Sequence, residues 1–147
     1  MSAAVMAPCP LLKEATEFWE KLRDECKRQM DAINAAASKH GMSGDELLQW
    51  TSDSAQIAMN RSACPSTKVE VKLEFYNWGP TITGTVRGRQ DCAMNFAPEG
   101  FELPIAIDLD GEVVAMVDEG RSLCPREVAL YFTQNFRRCY PGIALHC

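Results

Sequence analysis

Histidine is nearly absent from this chain, with His40 and His146 the only two in 147 residues. That scarcity leaves a Ser/His or Cys/His catalytic set few ways to form. Zinc takes four ligands at paired short spacings, and no C-x-x-C occurs; the nearest approach is Cys139, His146 and Cys147 near the end of the chain. Neither a metal nor a cofactor is expected. Gly84 and Gly88 lie in a strand-like run and not at a strand-to-helix turn, so no phosphate loop is present. No apolar run approaches the roughly 18 residues that span a bilayer. The opening segment has no basic start and is broken by Pro8 and Pro10, so neither a signal peptide nor a membrane partner is expected. Positive charge is in deficit, with 15 Lys and Arg against 20 Asp and Glu and a net charge of −5. Nucleic acid, which attracts a basic footprint, is not an expected partner. The seven cysteines are odd in number and widely spaced, so a disulfide framework within one chain cannot use them all. Reduced thiols and a cytoplasmic location follow as the expectation.

What is present is patterned. Residues 11–39 place Ala15, Phe18, Trp19, Leu22, Cys26, Met30, Ile33 and Ala37 at steps of three and four, the stripe of a long amphipathic helix. Lys21, Arg23, Lys27 and Arg28 are interleaved with Glu20, Asp24 and Glu25, which describes a solvated face. At about 1.5 Å per residue the helix is roughly 40 Å long, more than a small sheet covers. Gly41 supplies its stop. Ser43 to Glu46 reads as a capping box for a short second helix carrying Leu47, Leu48 and Trp50.

After residue 54 the period changes to two. Val69, Val71, Leu73 and Phe75 alternate with Glu70, Lys72, Glu74 and Tyr76, the pattern of an antiparallel strand with one wet face. Asn77 to Pro80 turns the chain into a strand with Ile82, Gly84 and Val86 on one face, where glycine signals a bend or a close approach. A weaker strand covers 55–60, and 92–101 reads as a loop with one extended piece. A last helix begins with Cys124 as N-cap, Pro125 at the first position and Glu127 at the third. Its stripe is Val128, Phe132, Phe136 and Cys139 with Tyr131 beside it; Arg137 and Arg138 complement its end before Pro141 and Gly142. The expected fold is a single α+β domain over 1–147: a long N-terminal helix, a short second helix, about five strands in a mostly antiparallel curved sheet, and a C-terminal helix packed on the sheet. Residues 1–10 are expected to form an arm and 141–147 a ragged tail.

Five carboxylates crowd residues 107–120: Asp108, Asp110, Glu112, Asp118 and Glu119. A calcium loop would need its sharp glycine where Val113 stands. Asp110-Gly111 between apolar runs instead predicts a type I′ hairpin that sets Ile107 opposite Val114 and Ile105 opposite Met116, with the carboxylates divided between faces.

Two functional readings follow. The first is a non-enzymatic binding or assembly module for a protein partner or a small apolar ligand. It uses Phe18 and Trp19 on the first helix with Tyr76 and Trp78 at the sheet, and it is homodimeric through the helix's excess apolar length. The second is a small thiol-dependent enzyme using Cys124 at a helix N-terminus, assisted by Arg121 or Arg126.

Overall fold

The computed structural model describes residues 11–53, 55–63, 66–88, 99–117 and 120–140. The expected arm, the tail with Pro141 and Gly142, and Asp118 and Glu119 lie outside the described residues, as do the side chains of Arg137 and Arg138. Helix α1 spans Leu12–Lys39, and every residue of the predicted stripe is buried, with Gln29 added to it. Its opposite face carries Lys27–Asp31 and Arg28–Glu25 ion pairs in solvent, the arrangement of a solvated helix surface. The helix stops at Gly41, whose φ of 85° only glycine adopts without strain, while the His40 and Gly41 amides donate to Ala37 and Ser38.

The capping box at Ser43 opens only a 3-10 turn, Gly44–Glu46, in place of the expected second helix. Asn34 of α1 is the reason. Its side-chain amide donates to the Leu48 carbonyl at 3.0 Å, and its oxygen accepts from the Leu48 amide at 2.7 Å. Both backbone groups of Leu48 are thereby taken, and Trp50 passes into strand β1, Gln49–Ser52.

Six further strands follow: β2 (Gln56–Arg61), β3 (Thr67–Tyr76), β4 (Gly79–Gly88), β5 (Glu99–Ile107), β6 (Val113–Met116) and β7 (Ser122–Leu123). They form one antiparallel meander in chain order, seven strands among the described residues where about five were expected. The strands that alternation did not announce are the outermost, β1 and β7, too short to show a period. Helix α2, Pro125–Thr133, then winds into a 3-10 segment, Gln134–Cys139. Phe136 and Cys139 stay buried as the stripe required, and Asn135 takes the Phe132 carbonyl with its side-chain amide at 2.8 Å.

One apolar cluster joins both helices to one face of the sheet. Gly84 makes the closest approach: a Cβ there would lie 2.4 Å from Cε1 of Phe132, so the absent side chain is what lets α2 settle on β4. Phe132 also meets Phe101 edge to face at 5.8 Å, and Tyr131 meets Phe101 at 5.0 Å. Full burial of Phe132 alone contributes about 1.5–3 kcal/mol. The helices are tied by Thr133, whose hydroxyl donates to Gln29 at 2.6 Å. No helix among the described residues is long and apolar enough to cross a membrane.

The acidic hairpin forms with a register one residue from the expected one. Ile105 pairs with Ala115 and Ile107 with Val113, leaving Asp108 opposite Glu112. A type I′ turn needs positive φ at two residues, but here only Gly111 has it, at 81°. Asp108 sets the longer loop: its carboxylate accepts from the amides of Asp110 and Glu112, both at 2.9 Å. Because sheet side chains alternate, the one-residue shift exchanges which hairpin positions share a face.

Candidate binding groove

The face of the sheet turned away from the helices is not flat. On β4 it presents Thr83 and Thr85, whose short side chains make a low floor between taller neighbours. Strand β3 supplies one wall with Glu70, Lys72, Glu74 and Tyr76, and β5 supplies the other with Glu102. At Gly100 there is no side chain, and the groove continues there to Phe101, Leu103, Val117 and Tyr131. The groove is open, with a volume of about 920 Å³.

Charge along the groove is uneven. Glu70 is held by Lys68 at 3.7 Å and Arg87 at 3.4 Å, and it accepts from Gln56 at 3.2 Å. Glu74 accepts from the Tyr76 hydroxyl. That hydrogen bond, with desolvation and the nearby charges of Glu74 and Glu102, pushes the Tyr76 phenol up to about 12. Glu102 has no ion-pair partner among the described residues. Above the β3 end, Trp78 is 67% exposed and lies 4.7 Å from Tyr76 between ring centroids.

The structure divides the four binding residues expected from sequence. Tyr76 and Trp78 come together at the groove's end. Phe18 and Trp19 are each only 2% exposed and belong to the core. The stripe of α1 is covered within the chain, which removes the premise from which the dimer was argued. The groove residues that sequence reasoning missed are Thr83, Thr85, Glu74 and Glu102. Their signal was the alternation itself, with threonine at every second place of β4 beside charge at every second place of β3.

Cys124 lies exposed in a smaller cleft of about 480 Å³ between the start of α1, the β5–β6 hairpin and the start of α2. Among the described residues that line it, the carboxylates are Glu14, Glu17, Asp108, Glu112 and Glu127 and Lys21 is the one cation; neither Arg121 nor Arg126 lines the cleft. The expected division of the acidic stretch is thus only partial, since Asp108 and Glu112 meet here. Glu127 accepts from the Cys124 amide at 3.0 Å. That bond, helped by Arg121, holds the Glu127 carboxyl below its ordinary range. Among the described residues no group of His, Cys, Asp or Glu is arranged to hold a metal ion.

No protein-family model, curated protein or solved structure matches the chain.

Proposed function

We propose that the chain is a non-enzymatic binding module that takes a protein partner along the β3–β5 groove. One observation carries this reading: an open groove of about 920 Å³ with a threonine floor, charged walls and aromatic groups at both ends. A site for a small apolar ligand is lined mainly by apolar side chains, whereas here Glu70, Lys72, Glu74, Thr83, Thr85 and Glu102 dominate. An extended polypeptide suits such a surface, because its backbone and alternate side chains use polar and apolar walls together. The thiol-enzyme reading has less support, since the cleft at Cys124 is lined by carboxylates and by neither of the two arginines. A cytoplasmic setting goes with the proposal, for which the free thiols of Cys26 and Cys124 speak.

Selection of a random displayed peptide library on the folded protein tests the reading. Binders should shift the amide resonances of Thr83, Thr85, Gly100 and Glu102, and Tyr76→Ala should weaken them. Binders that map elsewhere, or none retained at about 100 µM, would overturn it.

A further inference from the structure

The ladder between β5 and β6 stops early, and the sequence says why. The register pairs only Ile105, Ala106 and Ile107 with β6. The bond from the Asp108 amide to the Glu112 carbonyl, 2.9 Å, fixes the alternation of the hairpin. By that alternation Ala106, Pro104, Glu102 and Gly100 turn their backbone groups away from β4. Pro104 has no N–H to give, so the ladder ends there. Below it, Glu99 to Leu103 pair with β4 on one side, and no strand among the described residues pairs with them on the other. Among the described residues nothing pairs with the amides and carbonyls of Gly100 and Glu102 along the edge that borders the groove.

The two sides of that edge differ. On the face of the threonine floor stands Glu102; directly across Thr83 from it is Lys72, and Glu74 lies two residues along β3, across Thr81. Glu70, further along, is already engaged by Lys68 and Arg87, and Lys72 partly offsets the wall's charge. On the other face lie Phe101, Leu103, Val117 and Tyr131. A strand added here sends successive side chains to opposite faces.

Resting on the binding reading above, we infer that the lower edge of β5 accepts an extended segment of a partner protein as an added strand. The segment alternates basic with apolar side chains. Its basic residues face Glu102, its apolar residues face Phe101, Val117 and Tyr131, and its backbone pairs with Gly100 and Glu102. A second copy of the same edge is a poor occupant, because pairing through Gly100 and Glu102 would bring the two Glu102 carboxylates together as neighbours on one face of the strand pair, where like charges repel.

The test uses the intact protein and a short blocked, fluorescent peptide alternating lysine with valine, followed by anisotropy. Three further peptides accompany it: one alternating glutamate with valine, and two lysine–valine peptides N-methylated on one or the other set of alternate amides. The lysine–valine peptide should bind, and its glutamate counterpart should bind about tenfold more weakly or worse. Methylation of the set facing β5 should abolish binding, while methylation of the other set should be tolerated. Glu102→Lys should weaken the lysine peptide and strengthen the glutamate one. If both methylated peptides bind like the parent, strand addition is wrong, though selected peptides could still map to the groove and leave the binding reading standing. If the glutamate peptide binds as well as the lysine one, or if only peptides of other composition bind, the assigned chemistry is wrong. If no peptide of any composition binds, the binding reading fails and the inference with it.

Discussion

Gly84 and Phe132 occupy one space: a Cβ on the glycine would stand 2.4 Å from Cε1 and 2.7 Å from Cζ of the ring. The ring is fully buried and touches Phe101, so it has little room to withdraw. Gly84→Ala should destabilise the fold by about 1–3 kcal/mol, the usual penalty of overpacking. Phe132→Leu in the same chain should recover part of that loss. Urea denaturation of the two single variants and the double variant checks it, and strictly additive losses would show that the contact is not the cause.

The tie between the helices gives a second expectation. Gln29→Leu leaves the buried Thr133 hydroxyl without its 2.6 Å partner and should cost about 1–3 kcal/mol. Adding Thr133→Val removes the orphaned group, so the double variant should be more stable than Gln29→Leu alone. A double variant that is less stable than either single would contradict this.

At the β5–β6 turn, Gly111 holds a φ of 81° with open space where a side chain would be. Strain alone therefore decides what substitution does there. Gly111→Val should cost about 1–3 kcal/mol and Gly111→Asn distinctly less, as asparagine tolerates the left-handed region. Equal thermal stability for the two variants would argue against the loop geometry.

Cys26 supplies a pH dependence. Burial, with a smaller contribution from Glu25, pushes its thiol up from 9.0 to about 12. The fold thus favours the protonated thiol. The resulting stabilisation is fully present below 9.0, where both states are protonated, and it is lost as pH rises toward 12, because the unfolded chain ionises first. The slope is at most about 1.4 kcal/mol per pH unit. The stability of the wild-type protein relative to Cys26→Ala should accordingly fall by about 1–2 kcal/mol between about pH 8 and about pH 10.5. A constant difference over that range would mean that the thiol is reached by solvent.

Much of this fold was legible in the residues. The long helix and its whole buried stripe, the wet face of β3, the glycine approach on β4 and the proline start of α2 all follow from local patterns. What escaped was set by partners distant in sequence. Trp50 became part of a strand because Asn34 holds Leu48, and the hairpin slipped by one residue because the Asp108 side chain captured the turn amides. The site was half legible for the same reason. Tyr76 and Trp78 are sequence neighbours on an exposed hairpin, while Phe18 and Trp19 could be assigned to surface or core only once α2 and the sheet were known to cover them. The groove joins β3, β4 and β5 to Tyr131 on α2, a meeting that no single segment announces.

Amide hydrogen exchange at four consecutive residues of β5 tests most directly whether this edge is open for docking. In the free protein the Phe101 and Leu103 amides, which face β4, should be protected, and the Gly100 and Glu102 amides, which face the groove, should exchange far faster. Saturation with the lysine–valine peptide should slow Gly100 and Glu102 and leave the other two unchanged. Glu102 protected as strongly as Leu103 in the free protein would show that the edge is already covered, and the proposed docking of a partner strand would be wrong.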